Sequence, residues 1–249
     1  MPGATKPELR ELRVADGETQ AVMLAAAIAA DLAAALALRP YAGLVVSGGR
    51  TPALMFAHLA RQALDWPRVQ ITLADERWVS AADPASNEAL VRASLLRERA
   101  AAAHLIGLKN DAPTPAEGAA RAWIALSAMP RPFDVVLLGI GDDGHTASLF
   151  PGSAGLAVAL DAKAPPGCVA MEPQGAPHPR LSLNLAALLH SRRVCLQISG
   201  AHKWQVYQRA LAAGPIGDLP VRAILQQGTV PVDVYWCPDA PSAGAPCIA

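Results

Sequence analysis

Three polar segments of this chain, each placed directly after an apolar run, carry side chains that can do chemistry together. The sharpest is Gly139-Ile140-Gly141-Asp142-Asp143-Gly144-His145-Thr146-Ala147-Ser148, which follows the run 133–138. A near-neutral imidazole is a natural acceptor for the proton of a water or hydroxyl, and a neighbouring carboxylate can fix its tautomer. A glycine loop that presents aspartate and His145 therefore suits acid/base work. Gly139, Gly141 and Gly144 also satisfy the GxGxxG pattern of dinucleotide sites. That reading is rejected, because Asp142 and Asp143 stand where a pyrophosphate needs uncluttered N–H groups. Asp161 lies at about the right separation for a ribose-binding acid, but in a loop-like segment.

The second segment is Ser47-Gly48-Gly49-Arg50-Thr51-Pro52. Two glycines allow a tight turn at the end of a strand, and Pro52 suits the first turn of a helix, whose free N–H groups then face the turn. Ser47 and Thr51 add hydroxyls and Arg50 a charge, so the segment reads as a phosphate site or as an ordinary strand-to-helix turn. The third is Asp75-Glu76-Arg77-Trp78-Val79. Arg77 can hold a phosphate or a polarised carbonyl oxygen, and Asp75 or Glu76 can bind sugar hydroxyls or orient the arginine. A local carboxylate–arginine network with Trp78 as core filling is the other reading. Arg180, before Leu181-Ser182-Leu183-Asn184, and Lys203, in Gly200-Ala201-His202-Lys203, place cations at two further junctions.

Other chemistries lack their residues. No serine sits in GxSxG, and neither HExxH nor any other metal-ligand spacing of histidines occurs. His58, His104, His178 and His190 form no constellation. The four cysteines, Cys168, Cys195, Cys237 and Cys247, show no CxxC, and the first three read as reduced core thiols.

Those segments need a scaffold. Short apolar runs at 12–14, 43–47, 69–74, 133–138, 168–171, 193–199 and 232–237 read as strands. Helical stretches are expected at 18–38, 52–64, 86–97, 115–127, 184–189, 202–213 and 221–226, with Asp83 and Pro84 as cap and first-turn proline of the third. Strands of continuous hydrophobicity alternating with helices predict an α/β fold with a doubly wound, mostly parallel sheet flanked by helices. Ligands bind such sheets beyond the carboxyl ends of the strands, where most of the polar segments fall. The 249 residues fit a single domain spanning 1–249, with loops at 111–118, 151–155 and 164–180 and a loose tail at 238–249. The 21 basic and 21 acidic residues cancel and are interspersed, so no block exists to follow a nucleic-acid backbone. The apolar run 21–38 is mostly alanine, contains Asp31 and is flanked by Glu18 and Arg39, which favours a buried helix over a membrane span. The N-terminal residues lack the pattern of a secretory signal, and a cytoplasmic location is expected.

Taken in order, these segments resemble the 6-phosphogluconolactonases. The matching stretches are Ser47-Gly48-Gly49-Arg50-Thr51-Pro52, Asp75-Glu76-Arg77-Trp78-Val79, Ser86-Asn87-Glu88, the run from Gly139 through His145 to Pro151, Arg180-Leu181-Ser182-Leu183 and Gly200-Ala201-His202-Lys203. The resemblance implies a Rossmann-like fold shared with glucosamine-6-phosphate deaminases and ribose-5-phosphate isomerases. It also implies cofactor-free, metal-free hydrolysis of 6-phospho-D-glucono-1,5-lactone in the oxidative pentose phosphate route. His145 is then the general base and Asp143 its partner. Ser47, Gly48, Gly49, Thr51, Arg180 and Lys203 stand on the phosphate side, and Arg77 lines the lactone side beside Asp75. Arg50 stands where many relatives carry a small hydroxyl residue, and Asp142 occupies a variable position. The expected partner is a small sugar-phosphate lactone, with no nucleic acid and no membrane, on a monomer or weak homodimer. The alternatives are an amino-sugar-6-phosphate deaminase/isomerase and a non-catalytic sugar-phosphate-binding domain. The deaminases continue the Gly-His motif with Asn-Glu-Pro, whereas Thr146-Ala147-Ser148-Leu149-Phe150-Pro151 follows here without the carboxylate.

Overall fold

A computed structural model describes residues 8–173 and 175–238 of the chain. In chain order the elements are β1 (Leu9–Arg13), α1 (Gly17–Leu38), β2 (Ala42–Val46), α2 (Pro52–Leu59), β3 (Val69–Leu73), β4 (Asp75–Arg77), α3 (Asn87–Ser94), β5 (His104–Ile106), α4 (Pro115–Ala125), β6 (Val135–Gly139), α5 (Leu156–Ala159), β7 (Cys168–Met171), β8 (Arg180–Leu183), α6 (Leu185–Leu189), β9 (Val194–Ser199), α7 (Ala201–Leu211), α8 (Arg222–Leu225) and β10 (Val232–Cys237). Seven strands form one sheet in the order β1-β10-β9-β6-β2-β3-β5. Every pairing within it is parallel. Parallel sheets need cover on both faces, and this explains why β2, β9 and most of β6 and β10 are buried along their length rather than alternately buried and exposed.

The long alanine-rich segment is α1. Asp16 caps it by accepting the Thr19 N–H at 2.7 Å. Leu24, Ile28 and Leu32, spaced four apart on one face, are fully buried. By length and composition α1 could cross a membrane; here that face packs on β2, β6, β10 and α2.

The strand order places the ligand crevice. From β2 the chain runs outward through β3 to β5, then returns to β6 on the other side of β2. The loops leaving β2 and β6 therefore diverge at a topological switch point, where a parallel sheet leaves room for a ligand.

Four short strands depart from the sequence expectation. The strand at 168–171 is not in the main sheet; as β7 it pairs antiparallel with β8, which pairs antiparallel with β4. The seventh strand of the main sheet is instead β5, a three-residue edge strand with an exposed histidine. The third helix is capped by Ser86, which accepts the Ala89 N–H at 3.1 Å, rather than by Asp83. Asp83 instead turns the chain just before it, accepting the Ala85 N–H at 2.8 Å. Helices α2 and α3 end several residues sooner than expected, at Leu59 and Ser94. The tail expected at 238–249 lies, apart from Pro238, outside the described residues.

Candidate active site

A cleft of about 810 Å³ opens at the switch point. The turn after β2 forms one wall. Ser47 is anchored by its N–H to the Leu137 carbonyl at 3.0 Å, and Gly49 adopts a φ of 97° that only glycine holds without strain. Gly48 lies flat against the Asn87 amide: a Cβ there would come within 1.9 Å of Asn87 Oδ1. Thr51 is the N-cap of α2, but its side chain makes no capping bond, so the first N–H groups of the helix are not taken by it. The Ser47 hydroxyl is buried and has no hydrogen-bond partner among the described residues.

The loop after β6 forms the opposite wall and opens no helix, unlike a dinucleotide-binding turn. Its glycines serve the histidine. A Cβ on Gly141 would lie 2.1 Å from His145 Nδ1, and Gly144, at a φ of 81°, packs on Leu219. Asp143 Oδ1 accepts both His145 Nδ1, at 2.6 Å, and the His145 N–H, at 3.0 Å. Burial works against ionisation of the Asp143 carboxyl, yet these bonds and the charge of the ring hold it below its ordinary value. A carboxylate only accepts, so neutral His145 keeps its proton on Nδ1 and carries its lone pair on Nε2. The ring stacks on Phe150 with centroids 4.0 Å apart. Two residues beyond His145, Ala147 adopts a left-handed φ of 48°, a strain on the order of 1 kcal/mol held where the loop must turn back beneath the histidine.

The remaining walls come from the small antiparallel sheet and from α7. Asp75 is buried, accepts Ser148 Oγ at 2.5 Å and is approached by Asn87 Nδ2 at 3.4 Å. Glu76 is fully buried and faces away from ligand duty. Its Oε1 accepts the N–H groups of Arg77 and Asn87, and its Oε2 the N–H of Glu88 and the hydroxyl of Ser86. Of the two acids left open by the sequence, only Asp75 lines the cleft. Arg77, bonded to the Ala85 carbonyl, stands directly across the strand pair from Arg180. Arg180 is 7% exposed, and its Nε has no hydrogen-bond partner among the described residues. Burial, and then the charge of Arg77, make its guanidinium easier to deprotonate than usual, against the pull of Asp75 and Glu76. Two cations facing each other across a strand pair are a cost that a bound anion would offset. Lys203 lies in the first turn of α7, after Gly200 at a φ of 92°.

Ser47, Gly48, Gly49, Arg50, Thr51, Asp75, Arg77, His145, Arg180 and Lys203 thus line one cleft, while Asp143 holds His145 without lining it. Arg50 is exposed at the rim. Asp142 and His202 also line the cleft and approach to 4.0 Å, both largely in solvent. The sequence reading assigned nothing to Asn87, Ser148, Gln197 or Ser199, which complete the walls. Among the described residues, no group of three or more His, Cys, Asp and Glu side chains is placed to hold a metal ion.

The chain and its fold have close counterparts. A 6-phosphogluconolactonase of Pseudomonas aeruginosa is 44% identical over 219 residues, covering 88% of this chain and 91% of the relative. The crystal structure of a 6-phosphogluconolactonase from Shewanella baltica superposes with a TM-score of 0.89 at 46% identity, covering 92% of this chain and 98% of that one. A monomeric glucosamine-6-phosphate deaminase shares the fold at 20% identity, with a TM-score of 0.75 over 92% of this chain and 97% of its own. The profile of the glucosamine-6-phosphate isomerases/6-phosphogluconolactonase family matches residues 15–236, and the chain belongs to that family.

Proposed function

We propose that this protein hydrolyses 6-phospho-D-glucono-1,5-lactone to 6-phospho-D-gluconate, with His145 as general base. The observation that carries the mechanism is His145 Nδ1 held by Asp143 at 2.6 Å in a cleft that also gathers Arg77, Arg180 and Lys203. His145 Nε2 takes a proton from a water as the water attacks C1 of the lactone. Arg77 and N–H groups of the surrounding loops stabilise the oxyanion that forms at the carbonyl. The ring oxygen then leaves with a proton returned by the imidazolium, which Asp143 stabilises while it lasts. A lactone is an activated ester, so a positioned water and base suffice and the proposal calls for no cofactor. The turn 47–51, Arg180 and Lys203 hold the phosphate, and binding energy gained there orients C1 over His145. The absence of a carboxylate after His145, where Leu149 is buried and Phe150 stacks on the ring, counts against amino-sugar deamination. We place the activity in the cytoplasm, on a monomer or weak homodimer.

The test is a coupled assay on freshly generated 6-phosphogluconolactone, corrected for spontaneous opening. Acceleration of 6-phosphogluconate formation is expected; release of ammonia from glucosamine 6-phosphate without lactone opening would reverse the assignment.

A further inference from the structure

Gln20 lies near the start of α1, wholly buried, on a face otherwise made of alanine, leucine and isoleucine. A buried carboxamide needs partners for both ends. Its Nε2 donates to the carbonyls of Ile198, at 2.8 Å, and Tyr235, at 2.9 Å, at the carboxyl ends of β9 and β10. Carbonyls only accept, so the orientation is settled: reversed, Gln20 Oε1 would face two oxygens. Oε1 therefore points the other way, where it accepts Gln197 Nε2 at 3.0 Å and Ser199 Oγ at 3.3 Å. That fixes Gln197 in turn. Its Nε2 must face Gln20, and the same nitrogen lies 3.5 Å from the Thr51 carbonyl, while its Oε1 has no partner among the described residues. Gln197 and Ser199 both line the cleft, and Ser199 directly precedes Gly200 and the start of α7.

We infer that Gln20, a residue outside the cleft, is a positioning residue for its phosphate end: through Gln197 and Ser199 it sets the Thr51 side of the turn and the start of the helix that carries Lys203. The inference rests on the reading of the turn 47–51 and Lys203 as phosphate-binding. Without Gln20 Oε1, Gln197 Nε2 keeps only its long contact to Thr51, Ser199 loses its acceptor, and the two cation-bearing walls lose their common reference. At the reacting carbonyl end, Arg77 and His145 are held by other bonds, to the Ala85 carbonyl and to Asp143, so the relay bears first on the phosphate end.

The experiment uses Gln20→Met, which keeps length and approximate volume, together with Gln197→Met and the double variant. Steady-state kinetics on 6-phosphogluconolactone and on unphosphorylated glucono-1,5-lactone are combined with calorimetric binding of 6-phosphogluconate and thermal melts. Gln20→Met should raise KM for the phosphorylated lactone and Kd for 6-phosphogluconate by about five- to tenfold, the scale of one or two lost hydrogen bonds. Its kcat, and its kcat/KM on the plain lactone, should stay within about twofold. Gln197→Met leaves the bonds of Gln20 to the strand ends intact, so it keeps the inference testable if Gln20→Met does not fold, and it should show the same rise in KM. The double variant should be no worse than the poorer single one, because both cut one chain of bonds. A lowered melting temperature with KM and Kd unchanged would reduce Gln20 to a fastener of β9 and β10 and overturn the inference. Equal losses on both lactones, or additive losses in the double variant, would overturn it as well. A native protein that uses both lactones equally would instead remove the phosphate reading itself, and the inference with it.

Discussion

One oxygen of Asp143 holds both the ring and the backbone N–H of His145, so the imidazole cannot turn without breaking a bond to it. Removing the imidazole should therefore remove the base and little else. His145→Ala is expected to lower kcat by roughly 10²–10⁴-fold, with calorimetric affinity for 6-phosphogluconate within a few fold; near-native turnover would take His145 out of that role. The carboxylate has a signature of its own. Its value in the folded protein lies below the ordinary 3.8. Such a group adds stability above that pH and loses it as the pH falls through the lowered value. Urea midpoints of native and Asp143→Asn protein should thus differ at pH 7 and converge toward pH 3, and a gap of constant size would show that the ionic form is not what the fold favours. This pair was legible in the sequence because an aspartate two residues before a histidine among glycines is a local signal. Ser148 and Gln197 were not, because their partners Asp75 and Gln20 lie 73 and 177 residues away. A lone polar residue in a loop or an apolar strand says nothing of such a partner until the sheet is built.

At the scale of elements, the main strands were readable for the reason that they are stable: a strand covered on both faces is mostly a continuous apolar run, as in β2 and β6. The strands β4, β5 and β8 are three or four residues long and carry charge or histidine, so no hydrophobic period betrays them. Strand β4 illustrates what its charges do instead. Glu76 ties it to the start of α3 by accepting two donors on each oxygen, at 2.7–2.9 Å. Helix α3 in turn presents Asn87 to Gly48 and Asp75, so this carboxylate joins two walls of the cleft without lining it. Glu76→Gln keeps the shape but turns an amide N–H₂ toward two donors. The loss should be about 2–4 kcal/mol of unfolding free energy, since buried donors are left facing a donor. An unchanged urea midpoint at unchanged slope would show that the chain reaches the same joint by other bonds.

For the molecule as a whole, the parallel sheet and the small antiparallel sheet together bring four separate stretches of chain to one rim, and their cations converge on a single cleft. Arg180 is buried opposite Arg77, its Nε without a partner among the described residues, an arrangement that an anion would relieve. If that anion is the substrate phosphate, held also by the turn 47–51 and Lys203, unphosphorylated glucono-1,5-lactone should be a very poor substrate. A hydrogen bond to a charged group contributes about 1.5–3 kcal/mol. Two or three of them separate the two lactones by roughly 10³-fold or more in kcat/KM, allowing for imperfect additivity. Lys203→Ala should then depress kcat/KM on the phosphorylated lactone strongly and leave the residual rate on the plain one nearly unchanged. Arg180→Ala should do the same, and it should also free Arg77 from a like charge across the strand pair, so its effect on stability should be smaller than its burial alone suggests. The comparison separates two roles for each cation, because a group that stabilises the oxyanion serves both lactones alike. Equal fractional losses on the two substrates would move Lys203 or Arg180 from the phosphate to the reacting carbonyl. Equal native efficiency on both would remove the phosphate from the cleft altogether and leave the buried Arg180 facing Arg77 without a ligand to account for the pair.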